Sequence, residues 1–506
     1  MRFARTKNTL RNIAFGSINR IINIILPFIS RTVILYVMGT QYLGLSSLFS
    51  SILSFLSLAE LGIGGAMVYS MYKPIAENDF VMIRALLNLY RRLYRIIGVV
   101  ILAMGLLLMP FLKVLVPEKL PDDINLYLLY AIYLFNAVLS YWLFAYKNAL
   151  LQAYQRDDIN SKIASVITPV SYVIMLACLA LTKNYYAYVL WLPVFTIVTN
   201  LCRSTLVNRS FPNMGPEGEI PDDLKQSIFK KTTALIGTKL NTVVLNAADN
   251  LVMSAFLGLT VIAMYGNYYY IMSSVIGFLG IVYSSMTAGL GNSLQTESAE
   301  DNYRNFEKFS FINSWLVGWC SVCLICLYQP FMVIWVGEKL MFPFYVVIEM
   351  GLYFYVYQIR KIPVVYKDAA GIWWEDRLRP YVCMAANVGL NIVLVQIIGI
   401  SGIILSTVFS LLISIPWENY TIFCHIFHRS SKTYYKKMLF SVLSMLIAGI
   451  ATWWLCSLLG EGILAFLLRA VVCIIAPNVI FACLNCKRQE FAETIQFAKK
   501  ILKRQF

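Results

Sequence analysis

Ionisable side chains set inside long apolar runs are the residues best placed to do chemistry in this sequence. Arg20 and Arg31 lie in the first such run, Glu60 in the second, Lys239, Asn246, Asp249 and Asn250 in the seventh, and Arg360 and Lys361 at the end of the tenth. A charge held at mid-bilayer costs about 2.5–3.5 kcal/mol on insertion scales, so it normally faces a cavity or a partner. The chemistry on offer is charge recognition at low dielectric, not bond making. On a helix, Arg20 and Arg31 fall within about 20° of one azimuth and about 16 Å apart along the axis. Pro27 lies between them on that face, where a kink or break is expected. Two readings are open for these arginines: pairing with Glu60 and Asp249 to hold helices together, or facing a ligand. Recurrence of the stripe in the seventh run favours the ligand. Lys113 and Arg469 sit near span ends and are expected to snorkel. Glu349 and Glu418 are open either way.

The elements that must position these residues follow from composition. Of 506 residues, 59% are hydrophobic and 13% charged, against about 25% charged in a soluble chain, and mean hydropathy is +0.68. Apolar blocks long enough for a hydrocarbon core of about 30 Å recur throughout. In lipid such spans must be helices or closed barrels, and the strict alternation of barrel strands is missing. The expected fold is therefore an all-α polytopic membrane protein of about fourteen transmembrane helices: 12–37, 43–71, 96–116, 124–146, 163–182, 185–205, 232–257, 260–287, 309–336, 343–362, 380–399, 401–425, 438–458 and 463–485. With the first segment placed in the cytoplasm, 34 of the 42 Lys and Arg fall on the inner side or at its edge, and three (Lys119, Lys183, Lys339) in outer loops. Positive residues stay inside, so both termini are expected in the cytoplasm. The net charge of +16 reflects this asymmetry and attraction to anionic headgroups; it does not indicate nucleic acid.

Two motifs repeat. "YKNALLQAYQRDD" begins at Tyr146 and "YKDAAGIWWEDR" at Tyr366. Aligning Gly39 with Gly258, at nearly the same spacing, sets Arg20 on Lys239, Pro27 on Asn246 and Arg31 on Asn250. This predicts two six-helix halves related by a pseudo-two-fold along the membrane normal, an arrangement of transporters with the substrate site between repeats. The expected domains are an N-terminal lobe (1–206), a cytoplasmic inter-lobe loop (207–231), a C-terminal lobe (232–426), two appended helices (427–485) and a basic amphipathic tail (486–506) on the inner leaflet. The first apolar run is too long for a signal peptide and carries Arg20 and Arg31, so it reads as an uncleaved span.

Other chemistry finds little support. The phosphate-binding G-x-x-x-x-G-K-[ST] loop is missing from the sequence. Cys320, Cys323 and Cys326 space like ligands, but they lie in an apolar span without a nearby His and read as packing residues. The eleven cysteines lie in or beside spans and imply no disulfide framework. The chain is expected to be a transporter and not an enzyme, with no metal site.

The stretch "SRTVILYVMGTQYLGLSSLFSSILSFLSLAELGIGGAMVYSMYKPIAENDF" (30–80) resembles Wzx-type bacterial polysaccharide flippases, which handle O-antigen and capsule repeat units. These belong to the polysaccharide branch of the MOP (multidrug/oligosaccharidyl-lipid/polysaccharide) exporter superfamily. The similarity continues through "AADNLVMSAFLGLTVIAMYGNY" (247–268) and "YKDAAGIWW", over essentially the whole chain. The resemblance implies a flippase in the bacterial cytoplasmic membrane, moving undecaprenyl-pyrophosphate-linked oligosaccharide repeat units to the outer leaflet by alternating access. It implies that Arg20, Arg31 and Lys239 meet the anionic headgroup in a central cavity, with Asn246, Asn250, Arg360 and Lys361 as further lining candidates. Glu60 and Asp249 are candidates for Na⁺ or H⁺ coupling, with no other cofactor. Expected partners are the lipid-linked glycan, membrane lipids, and a polysaccharide polymerase and glycosyltransferases. The alternatives are a cation-coupled multidrug or small-molecule exporter of the same superfamily, and a non-transporting scaffold of a glycan synthesis complex.

Overall fold

The computed structural model describes the backbone of residues 5–60 and 63–504; side chains are described except at 1–18, 59, 61–62, 227, 229–239, 241–242, 246, 288 and 497–506. Among the described residues every regular element is a helix. The first part of the chain forms α1 (Arg5–Val37), α2 (Thr40–Leu56), α3 (Ile63–Glu77), α4 (Phe80–Leu108), α5 (Leu112–Leu115), α6 (Leu126–Trp142), α7 (Lys147–Ala153), α8 (Asp157–Thr182), α9 (Tyr185–Val189), α10 (Trp191–Ser210) and α11 (Asp222–Leu257). It continues through α12 (Leu259–Thr296), α13 (Ala299–Val336), α14 (Phe344–Ile359), α15 (Lys361–Ala370), α16 (Arg379–Ile398) and α17 (Ile400–Ile422). The last helices are α18 (Lys432–Ser457), α19 (Ile463–Asn485) and α20 (Gln489–Arg504).

By length and composition, ten of the described helices can cross a membrane, or eleven if the bent pair α6–α7 is one span. The other three of the fourteen expected spans lie on interrupted or only partly described helices. The 43–71 run is interrupted by a 3₁₀ turn at Ser57–Glu60. The 343–362 run is divided at Arg360 into α14 and α15. The 232–257 run lies on α11, where many side chains are outside the described residues. The first helix runs unbroken through Pro27, so the expected break is not made there.

Two compact units result, Met1–Ala263 and Met264–Phe506. Their division falls inside α12, whereas the expected repeat boundary is the 207–231 loop. In the first unit α2 is a shared neighbour: α1 and α11 both pack against it. Gly39 joins α1 to α2 at φ 104, ψ −178, and Gly258 joins α11 to α12 at φ 85, ψ 173. Only glycine takes such a conformation without strain, so one hinge geometry occurs at both aligned positions. Gly44 also brings backbones together, since a Cβ there would lie 2.3 Å from the Leu259 carbonyl oxygen. In the second unit, α16 and α17 pack tightly through Gly402, where a Cβ would meet Leu394 backbone at 2.3 Å. Small and hydroxylated residues let helices approach in this way without a hydrophobic driving force.

The repeated motifs turn out to be anchors. Tyr146, Lys147, Tyr366 and Lys367 are all buried. The Lys147 ammonium donates to Ser204 Oγ at 2.6 Å and Asn208 Oδ1 at 2.7 Å, fastening α7 to α10. Lys367 instead reaches Asp376 Oδ2 at 2.5 Å. The tail helix α20 packs on α13, with Arg304 Nη2 at 2.7 Å from Glu493 and Lys437 Nζ at 2.8 Å from Glu490. Phe491 stacks on Trp315 at 5.7 Å. The described part of the tail thus docks on its own unit through an acidic and aromatic face.

Candidate functional site

The interruption of the 43–71 run positions the first cluster. Ending α2 at Leu56 and restarting at Ile63 leaves Glu60 at the end of a 3₁₀ turn, free of a helical side-chain direction. Its carboxylate meets α4 and α6. Tyr94 donates to Oε1 at 2.5 Å, Tyr141 donates to Oε2 at 3.1 Å, and Tyr90 donates to the Tyr94 hydroxyl at 2.5 Å. Tyr90 and Tyr94 are one helical turn apart, so one face of α4 supplies both hydroxyls. Gly64 leaves room: a Cβ there would stand 3.1 Å from the Tyr90 hydroxyl and 3.5 Å from Glu60 Oε1. Hydrogen bonds to a charged acceptor contribute about 1.5–3 kcal/mol each, which offsets the cost of holding a half-buried carboxylate. Glu60 therefore commits both oxygens to phenols. The sequence singled out Glu60 but not its tyrosines, because an aromatic inside an apolar run usually signals packing.

The cationic stripe is placed only in part. Arg20 is exposed and Arg31 half-buried on α1. Lys239 and Asn246 lie on α11 with side chains outside the described residues. Asn250 Nδ2 donates to Ser51 Oγ at 2.8 Å, tying α11 to α2, and Asp249 is 5% exposed. The helix that carries Arg20 and Arg31, α1, and the helix that carries Asn250, α11, both pack against α2.

A second cluster gathers where α14 and α17 end and α16 begins. Arg360 Nη1 is 2.6 Å from Glu418 Oε1 and donates to Ser414 Oγ at 2.9 Å. Arg379 Nη1 is 3.2 Å from the same Glu418 oxygen, and its Nε and Nη2 grip Asp376 at 2.7 and 2.8 Å. This fork-to-carboxylate geometry is the strong form of the pairing. Burial pushes the Asp376 carboxyl upward, but Arg379 and Lys367 outweigh it and hold the group below the usual carboxylate range. Lys361 Nζ lies 4.2 Å from the Tyr357 ring centroid, outside this lattice. Three cations (Arg360, Arg379, Lys367) face two carboxylates (Asp376, Glu418), leaving an excess of positive charge. Arg360 Nε, Glu418 Oε2 and both Gln358 side-chain polar atoms are buried without a hydrogen-bond partner among the described residues. The sequence picked out Arg360 and Lys361 here; it missed Lys367, Asp376 and Arg379. The signal was the repeated Tyr–Lys motif, which marks an internal repeat in the sequence and an anchor in the structure.

No protein-family model matches the sequence, and no curated protein does. Solved structures match over most of the chain. "Lipid II flippase MurJ, inward closed conformation" aligns at TM-score 0.62 and 14% identity, covering 94% of this chain and 99% of that one. A multidrug resistance MATE family transporter of the MOP superfamily, in an inward-facing conformation, aligns at TM-score 0.60 and 14% identity, covering 79% and 94%. This chain has the fold of MOP-superfamily transporters. A third MOP-fold neighbour, from Pyrococcus furiosus, aligns at TM-score 0.55 and 14% identity over 82% of this chain and 95% of that one; it is described by a reversed polarity of its binding pocket. The fold is that of a multi-pass membrane protein, and each of the two clusters above lies within one unit.

Proposed function

We propose that the chain is a Wzx-type flippase that carries undecaprenyl-pyrophosphate-linked oligosaccharide repeat units from the inner to the outer leaflet of the bacterial cytoplasmic membrane, for O-antigen or capsule synthesis. The coverage of the structural neighbours carries this reading. The MurJ match covers 94% of the chain. What it leaves out is shorter than 427–506, so it must include much of that segment. The MATE matches cover 79% and 82% of the chain, and what they leave out is long enough to omit that whole segment. That difference in coverage supports reading the appended helices as a flippase-like feature.

In this reading Arg20, Arg31 and Lys239 receive the pyrophosphate, Arg31 further along α1 than Arg20, with Asn246 assisting, and Arg360 and Lys361 are the candidates that the second unit offers. Asn250 is assigned to holding α11 on α2, given its bond to Ser51. The cycle is alternating access, in keeping with MATE neighbours seen in inward-facing and outward-facing conformations. Both termini are cytoplasmic, and a polymerase and glycosyltransferases work beside the transporter. Glu60, with Asp249 as second candidate, couples the cycle to an ion. The tyrosine hydroxyls fit H⁺ better than Na⁺, because phenol protons already occupy the positions around the carboxylate where Na⁺ would need oxygen ligands.

The deciding experiment deletes the gene and follows the lipid-linked glycan. Accumulation of undecaprenyl-pyrophosphate-linked repeat units in the inner leaflet, with loss of surface polysaccharide, is the expected result. Normal surface glycan together with sensitivity to cationic drugs would move the assignment to a small-molecule exporter, a reading that the MATE neighbours and the Glu60 carboxylate favour.

A further inference from the structure

Three cysteines from three helices of the second unit meet in its interior. Cys326 of α13, Cys456 of α18 and Cys473 of α19 hold their sulfurs within 4.8 Å of one another. The Cys456 and Cys473 Sγ atoms are 3.9 Å apart. All three residues are buried, and all are free thiols. The sequence had grouped Cys326 with Cys320 and Cys323; its partners here come from the two appended helices, far along the chain.

We propose that Cys326, Cys456 and Cys473 form a three-sulfur binding site for a soft monovalent metal ion, copper(I). A planar trigonal site with metal–sulfur bonds of about 2.3 Å has sulfur–sulfur edges of about 4.0 Å, which the Cys456–Cys473 separation already meets. Thiolates select copper(I), zinc and iron–sulfur clusters. Structural zinc almost always completes four ligands, and among the described residues no His, Asp or Glu joins the three thiols. Cys323, one turn before Cys326, directs its thiol to the Cys473 carbonyl oxygen at 3.5 Å instead.

Charge decides in the same direction. Each thiol that becomes a ligand releases one proton to water, so copper(I) with two or three thiolates carries a net charge of −1 or −2. Arg469 is the counter-charge. It precedes Cys473 by four residues and so shares its face of α19, and it interacts electrostatically with Cys456. Its Nη2 donates to the carbonyls of Leu459 and Gly460 at 2.7 and 3.1 Å, while its Nε is buried with no hydrogen-bond partner among the described residues. The snorkelling expected of Arg469 accounts for the two carbonyl bonds but not for the buried Nε. A bound ion would clamp α18 and α19 onto α13, supplementing the Trp319 Nε1 bond to the Cys473 carbonyl at 2.9 Å.

The test uses the purified full-length chain without oxygen, with copper(I) supplied against a chromogenic copper(I) chelator. One copper per chain should survive gel filtration, and X-ray absorption should show a shell of three sulfurs at about 2.3 Å. Cys326→Ser, Cys456→Ser and Cys473→Ser should each weaken retention at least about ten-fold, while Cys483→Ser, at an exposed thiol, leaves it unchanged. The X-ray absorption measurement needs no variant, so a misfolded mutant does not block the test. A shell of nitrogen or oxygen, copper retention equal in wild type and Cys326→Ser, a Cys456–Cys473 disulfide in anaerobically prepared protein, or zinc held in preference by four sulfurs would each overturn the proposal.

Discussion

The Tyr94 hydroxyl donates to Glu60 Oε1 at 2.5 Å, and Tyr90 donates in turn to Tyr94. An ionised carboxylate accepts from this relay, and a protonated one must give up a partner or reverse a hydroxyl. Glu60→Gln mimics the protonated state at similar volume. It should leave the protein level within about two-fold, since the amide still accepts through its oxygen, while transport loses its dependence on the proton gradient. Tyr94→Phe should slow transport less. Transport by Glu60→Gln that responds to the gradient like wild type would remove Glu60 from coupling.

Arg31 separates recognition from architecture. If it meets an anionic headgroup, Arg31→Gln should keep normal abundance while glycan export collapses. Arg31→Lys should keep part of the export, as a point charge without the paired donors of guanidinium. If Arg31 is a structural partner instead, its loss strands a buried group and abundance falls with export. Immunoblotting of membranes beside surface-glycan quantification reads both.

Asp376 has a stabilising role with a definite pH signature. Its folded carboxyl is held below the ordinary value by Arg379 and Lys367. Stability from this group is fully present above its unfolded value of about 3.9 and is lost as pH falls through the lower folded value. Thermal unfolding in detergent should therefore be insensitive to this group between pH 7 and 5 and weaken only below about pH 4. Asp376→Asn should destabilise the chain at neutral pH by about 3–5 kcal/mol, because two buried cations lose their counter-charge. An equal melting temperature for Asp376→Asn and wild type at pH 7 would contradict this role.

Topology is checked at the segment between α5 and α6. A cysteine at Asp122, which is exposed, should react with an impermeant maleimide added to intact spheroplasts, and one at Asp222 should react only after permeabilisation. The reverse pattern would invert the assigned orientation.

What the sequence by itself determined is the solvent of this protein and the periodicity of its helices. Fifty-nine per cent hydrophobic content and recurring apolar runs leave backbone polar groups no satisfaction except within a helix; hence the all-helical fold was legible from composition. The alignment of Gly39 with Gly258 was legible as well, but their shared positive-φ geometry came from the structure. The partnerships were not legible. Glu60 was visible as a costly charge, but its phenols come from Tyr94 and Tyr141, 34 and 81 residues away. Lys147 and Lys367 share a motif, yet one is satisfied by neutral groups and the other by Asp376. Cys326 had near neighbours in its own helix and found distant ones instead. Local sequence sets the cost of burying a polar group, because that cost depends on the group itself and the apolar run around it. Which atom offsets it depends on which helix faces arrive within hydrogen-bond reach, and tertiary packing alone decides that.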